Sequence, residues 1–290
     1  MILKIDKLHG YIFSDNNLKL FEKLILFLAV GGFILHLALI YLNLNYDVSI
    51  LKGLDDLLRN PISALYTPFS FILIYEAFLL VYYFPRSFTT SIAKEYEIIS
   101  LVMIRKVFGD IPMLNFEEGI INQEGLILLY DLLAILIIYY LIHLFKKTIS
   151  KIPKRKPTIN INRFISYKKM LSIVLLPILL ILCMSNLYDW SYAVFVNQEF
   201  LENLNYIFFI DFFTILILVD VFILLISFQY TERYSQILRN TGFIISTILL
   251  RLSFSVSGVS SLILLLSGVV FGLIILKIYQ LSELELKQRV

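Results

Sequence analysis

The sequence predicts an all-α integral membrane protein built from two tandem repeats in the same orientation, each of about four transmembrane helices. Three observations predict this class. The 290-residue chain is 59% hydrophobic and only 16% charged, whereas an average soluble domain is about 25% charged. Its apolar residues form uninterrupted runs that reach the roughly 20 residues a helix needs to cross a bilayer. Three short motifs recur in the same order in the two halves of the chain.

Six apolar runs are the candidate transmembrane helices. In lipid, backbone polar groups must be satisfied within a helix unless a closed barrel forms, and no alternating strand pattern recurs in this sequence. We therefore expect helices throughout. The runs are residues 24–42, 62–84, 126–145, 170–187, 206–228 and 259–276.

The repeat is defined by the spacing of its motifs. An Ile-Ile-Ser triplet is followed five residues later by Arg and eight residues later by Phe, identically in both copies. An acid within an apolar run and a Tyr-Asp-x-Ser motif precede each triplet. Internal similarity of this kind indicates a duplicated structural unit. The motifs begin at Tyr46, Glu76 and Ile98 in the first copy, and at Tyr188, Asp220 and Ile244 in the second.

A basic linker separates the two copies. Residues 146–169 contain nine Lys or Arg residues and no acid, and Pro153 and Pro157 interrupt any continuous helix. The predicted domains are a first membrane repeat (1–147), a cytoplasmic linker (148–167) and a second membrane repeat (168–290).

Charge predicts the topology. Short loops rich in Lys and Arg stay in the cytoplasm, which places the linker inside, while the acidic loops 109–124 and 187–206 are expected outside. If the short Arg-bearing helices near residues 95–108 and 241–256 also cross, there are eight crossings, and both termini join the linker inside. This arrangement is favoured over six crossings, and a plasma membrane location is expected.

Two acids lie inside apolar runs, and each has an expected partner. A carboxylate at mid-membrane costs roughly 3 kcal/mol, so Glu76 should pair with Arg105, and Asp220 with Arg251, on the next helix. Asn240 and Thr247 share a helical face with Arg251. These residues predict either a pathway for ions or protons or structural salt bridges that fix helix register.

Other polar positions favour structural roles. Asp131 is interpreted as an interfacial acid near Glu124, and the lone His36 as a satisfied packing residue. Gly268-x-x-x-Gly272 in the last run matches the small-residue pattern for close helix approach, with packing inside the chain at least as well supported as dimerisation.

The sequence does not disclose the exact activity. Because it lacks phosphate-loop, zinc-protease and nucleophile-elbow motifs, we expect no enzyme, metal or cofactor. An ion or small-solute channel or transporter is favoured, and a non-catalytic membrane anchor or sensor subunit is the alternative. Expected partners are the bilayer and, at the linker, anionic lipid. Whether the chain also binds a second copy of itself or a cytoplasmic protein is left open, and no nucleic acid partner is expected.

The topology generates a direct test. The test places single cysteines in a Cys183→Ser background, one at Lys151 in the linker and one each at Glu117 and Glu199 in the acidic loops. An impermeant thiol reagent should reach the linker cysteine and the two loop cysteines from opposite sides of the membrane. The linker should be protected in intact cells, because positive loops are retained inside. Labelling of Lys151→Cys from outside would overturn the eight-crossing scheme.

Overall fold

Helices make up most of the chain. The computed structural model describes residues 2–45, 58, 60–111, 123–152, 159–192, 204–231, 233–256 and 258–288. These described residues are 92% helical and contain no strand. The expectation of an all-helical chain is therefore confirmed for them. The helices are α1 Ile2–Ile12, α2 Asp15–Asn45, a 3₁₀-helix Pro61–Leu65, α3 Tyr66–Tyr83, α4 Phe88–Asp110, α5 Gln123–Ser150, α6 Ile159–Tyr192, α7 Leu204–Phe228, α8 Tyr234–Ser253 and α9 Val259–Gln288.

Local sequence accounts for several helix starts. The Ser87 side chain caps α4 by accepting a hydrogen bond from the Thr90 backbone N–H at 3.3 Å, and Asn60 caps the 3₁₀-helix through Ile62 N–H at 3.0 Å. Such side-chain acceptors satisfy the free N–H groups of a first turn. Gly258, just before α9, has a φ of 67°, a conformation that favours glycine. Ser87 and Gly258 thus lie in the short connections from α3 to α4 and from α8 to α9.

Consecutive helices pack against one another in the same order in both halves. In the first half α2 packs on α3, α3 on α4, and α4 on α5. In the second half α6 packs on α7, α7 on α8, and α8 on α9. Between the halves, α4 contacts α8 and α5 contacts α9. The two Arg-bearing helices, α4 and α8, thus lie at the centre of the bundle.

Several helix ends meet at one end of the bundle, which we call the linker end. Lys168 at the start of α6 donates to the backbone oxygen of Arg86 at 2.8 Å, between α3 and α4. Lys146 near the end of α5 forms an ion pair with Glu97 in the first half of α4. Helices α4 and α6 therefore begin, and α3 and α5 finish, at the linker end.

The second half has the same directions. Tyr230, just beyond α7, contacts the Phe164 ring of α6 with 5.9 Å between centroids. Arg233 immediately before α8 lies 3.7 Å from Glu283 near the end of α9. Helix α8 therefore begins at the linker end, as α4 does, and both run toward the opposite end of the bundle.

Six stretches of described residues are long and apolar enough to cross a membrane, by length and composition. This supports a multi-pass membrane protein. Helices α4 and α8 are not among the six, so eight crossings are not established by these criteria, and the count equals the alternative of six. The stretches are Lys4–Asn45, Pro61–Tyr83, Gly125–Ser150, Asn162–Asp189, Ile210–Phe228 and Val259–Glu285.

Some sequence expectations fall outside the described residues. These include the first Tyr-Asp-x-Ser motif at Tyr46, most of the acidic loop around Glu117, the central part of the linker and the loop containing Glu199. The inside or outside placement of these loops stays a prediction.

The Gly268–Gly272 pair packs inside the chain. Ser246 of α8 donates to the Gly268 backbone oxygen at 2.6 Å, and the Tyr96 hydroxyl of α4 lies 2.6 Å from the Ser246 hydroxyl. A Cβ atom on Gly272 would stand 1.8 Å from the Tyr96 hydroxyl oxygen. The two glycines therefore let α9 approach α8 and α4 closely, and Tyr96 joins the two halves.

This packing predicts the effect of adding one methyl group. Gly272→Ala should destabilise the protein by about 1–3 kcal/mol, the usual cost of overpacking, because the methyl group collides with the hydroxyl of Tyr96. Gly31→Ala is the matched control, since nothing lies within 4 Å of the added Cβ. Thermal unfolding in detergent measures both, and equal melting temperatures would contradict the close approach at Gly272.

Candidate functional site

Four charged side chains that the sequence places in or beside apolar runs meet as two pairs. Glu76 Oε2 of α3 lies 3.5 Å from Arg105 Nη2 of α4. Asp220 Oδ2 of α7 lies 2.6 Å from Arg251 Nη1 of α8. All four are buried, with exposed fractions between 3% and 9%. Each half therefore brings an acid next to the Arg of the following helix.

The two pairs differ in geometry. Arg251 donates a short hydrogen bond to Asp220, and Thr247 Oγ1 donates to the same carboxylate oxygen at 3.0 Å. The 3.5 Å separation of Arg105 and Glu76 exceeds the length of a charge-assisted hydrogen bond, although Arg105 also donates to a backbone oxygen of α3 at 3.2 Å. The Asp220 pair is the more closely bonded of the two.

A third carboxylate, missed by sequence reasoning, joins the second pair. Glu95 belongs to α4 in the first half of the chain, yet its Oε1 lies 2.7 Å from Arg251 Nη2 in the second half. Its exposed fraction is 7%. Arg251 therefore contacts an acid of each half, one with each terminal nitrogen.

Lys168 completes this group. Its side chain is 2% exposed, and its ammonium interacts electrostatically with Asp220 and Glu95. The Nζ atom lies 5.1 Å and 4.9 Å from the ring centroids of Phe84 and Phe88, within the range of cation–π attraction. We call Glu95, Lys168, Asp220 and Arg251 the central ion cluster; with two acids and two bases, its formal charges cancel.

The sequence contained one signal for Glu95. This residue lies three and seven positions before Ile98 and Val102, which puts the three on one helical face, and both apolar residues are buried. The recurring motifs do not include this signal, because the residue at the same distance before the second Ile-Ile-Ser triplet is Thr241. The feature that indicated a buried Glu95 was its position on an apolar helical face, not its recurrence in both halves.

A narrow cleft lies beside the central ion cluster, on the side of the linker end. Tyr83 at the end of α3 and Ser91 in the first turn of α4 line the cleft nearer that end. Glu95, one helical turn further along α4, and Arg251 also line it. The cleft has room for roughly one water molecule. The remaining lining residues are Leu80, Phe84, Ile98 and Leu216.

The polar face expected on α8 divides into two regions. Thr247 belongs with the central ion cluster through its bond to Asp220. Asn240 is 2% exposed, but its Oδ1 accepts hydrogen bonds from Arg239 at 2.9 Å and 3.2 Å, nearer the linker end. The structure therefore does not bring Asn240 to the charged pairs.

The two remaining candidates lie apart from the cluster. Asp131 is 1% exposed and pairs with Lys106 of α4 at 3.2 Å, so it is buried against a neighbouring helix rather than an acid open to the interface. His36 Nδ1 lies 2.7 Å from the Thr67 hydroxyl and links α2 to α3. Both contacts join neighbouring helices of the first half.

No metal centre is visible in the part of the chain that the structure describes, since no three His, Cys, Asp or Glu side chains there could hold an ion together. Comparison with protein families, curated proteins and solved structures finds no match for this chain. Its class is therefore defined by the fold and the buried charges alone: a multi-pass helical membrane protein.

The Glu76–Arg105 pair generates a stability prediction. Glu76→Leu or Arg105→Met alone removes the opposite charge from beside a buried one, which costs about 3–5 kcal/mol in soluble proteins. The double variant removes both charges and should recover most of the lost stability. Thermal unfolding of the two single variants and the double variant in detergent measures this. Additive losses in the double variant would show that the two charges do not stabilise each other.

Proposed function

We propose that this chain is a membrane transport protein that conducts or carries an ion or small charged solute, with the central ion cluster as its charged site. The observation that carries the proposal is the cleft beside the central ion cluster, which Glu95 and Arg251 line inside an apolar bundle. Intramembrane charges that line such a cavity commonly mark ion or solute pathways.

The proposal includes eight membrane crossings, and the directions of the helices support that number. Helices α4 and α8 lie between the apolar helices and run from the linker end toward the opposite end. Three of their charged residues, Glu95, Arg105 and Arg251, face protein and are nine-tenths buried or more. A helix enclosed by other helices does not need the apolar composition of a lipid-facing one.

The repeat and its orientation belong to the same proposal. With eight crossings, residues 1–147 and 168–290 form two units in the same orientation around a pseudo-twofold axis. The linker end faces the cytoplasm, as its Lys and Arg residues favour, and the protein resides in the plasma membrane. The basic linker contacts anionic lipid there.

The pairing of the charges supports a second candidate, a non-catalytic membrane anchor or sensor subunit. Each buried acid described above lies beside a base, so the pairs by themselves would fix helix register. In this alternative the basic linker binds a cytoplasmic protein, and nothing passes along the cleft.

Blocking the cleft separates the two candidates. The purified protein in liposomes should raise the flux of at least one ion above that of empty vesicles, measured with reporters for protons, Na⁺, K⁺ and Cl⁻. Ser91→Phe should abolish most of that flux, because the ring fills a cleft with room for roughly one water molecule. Ser267→Phe on the exposed face of α9 is the control and should retain it.

Two outcomes would contradict transport along this cleft. Full flux in Ser91→Phe, with normal thermal stability, would place the pathway elsewhere. Ion flux that never exceeds that of empty vesicles, under either sign of membrane potential, would favour the anchor or sensor subunit.

A further inference from the structure

We infer that Glu95 is a proton-exchange site, which takes up a proton through the cleft from the linker end and thereby leaves Arg251 bonded to Asp220 alone. This rests on the proposed transport function and names its coupling ion. The proton would bind a carboxylate that has no counterpart at the matching position in the second copy.

Access distinguishes Glu95 from the other buried acids on α3 and α7. Glu95 lines the cleft, whereas Glu76 and Asp220 are not among its lining residues. Ser91 and Tyr83, which line the cleft between Glu95 and the linker end, have hydroxyl groups that both donate and accept hydrogen bonds. Of the three acids, Glu95 is therefore the one that lies beside the cleft.

Geometry makes Glu95 the exchangeable partner of Arg251. Arg251 is bonded to Asp220 by a 2.6 Å hydrogen bond. Its second contact, 2.7 Å between Nη2 and Glu95 Oε1, is an ion pair with the other half, whereas Asp220 also accepts a hydrogen bond from Thr247. Because Arg251 has two acids, neutralising Glu95 leaves it next to a carboxylate.

The groups around Glu95 can accommodate the change in charge. Those facing it are Arg251 and Asp220, the Lys168 ammonium, and the phenols of Tyr83 and Tyr96. Proton uptake forms an O–H bond on the Glu95 carboxylate as an O–H bond of a hydronium ion breaks and releases water, so the cluster passes from neutral to a charge of +1. Lys168 remains bonded to the Arg86 carbonyl oxygen, which stabilises its part of that charge.

The consequence concerns the contact between halves. The Glu95–Arg251 ion pair joins α4 to α8 beside the cleft, so its loss weakens the attraction between these helices at that point. A two-state element biased by one local charge is the usual basis of a conformational switch. Protonation of Glu95 is thus coupled to opening of the cleft.

Infrared difference spectroscopy of the full chain in lipid tests the proton site directly. Acidification should produce the C=O band of a protonated carboxyl group, and Glu95→Gln should lack it. Glu97→Gln is the control, because Glu97 lies on the same helix with a more exposed side chain paired to Lys94 and Lys146. Glutamate labelled with ¹³C should shift the band in the wild-type chain without any substitution. A band that persists in Glu95→Gln, or fails to shift with labelled glutamate, would overturn the assignment.

Cysteine labelling tests the coupling to the cleft. In a Cys183→Ser background, the labelling rate of Ser91→Cys relative to exposed Lys151→Cys should rise by about 5-fold or more on acidification, the lower range of allosteric coupling. Adding Glu95→Gln should hold the ratio high at every pH. A ratio that does not respond to pH in the presence of Glu95 would overturn the coupling.

The failure of this inference differs from the failure of the proposed function. Ion flux in liposomes without a Glu95 band would overturn the proton site and retain transport. A Glu95 band without flux of any ion would support the proton site and overturn transport. That result would favour a pH-sensing subunit.

Discussion

The contact on which the arrangement of the bundle depends is the sharing of Arg251 between Asp220 and Glu95. A charge inside an apolar bundle costs several kcal/mol unless an opposite charge lies next to it. Arg251 is 3% exposed, and α7 and α4 each present an acid where its guanidinium lies. Because those acids belong to different halves, the electrostatic requirement of one side chain sets the position of one half relative to the other.

Close packing reinforces this constraint. Tyr96, one residue after Glu95, lies within hydrogen-bond distance of Ser246 on α8 and packs against Gly272 on α9. A larger side chain at Gly272 would push α9 away from α4 and lengthen the ion pair with Arg251. The polar centre and the small-residue contact therefore stabilise the same arrangement of three helices, and an apolar exterior can surround a charged interior.

The two halves share three sequence motifs but differ in chemistry. In the first half Glu76 and Arg105 form a pair between adjacent helices. In the second half the corresponding pair gains Lys168 and a carboxylate from the other half, and this larger group lies beside the cleft. The charged site is therefore asymmetric between halves that share the same motif spacing, and the acid at Glu95 has no match in the second half.

The sequence by itself determined the helical class, the apolar stretches and the two acid–arginine neighbours, because these depend on local composition and on helices adjacent in the chain. The acid of one run and the Arg of the next helix are brought together by a short connection. The contact between Glu95 and Arg251 was decided by tertiary structure, since it joins α4 to α8, with α5, α6 and α7 between them in the chain. The pair between Asp131 and Lys106 joins helices adjacent in the chain, α5 and α4, but the sequence patterns did not single it out. Pairing between distant helices depends on how the whole bundle packs, which local patterns do not encode.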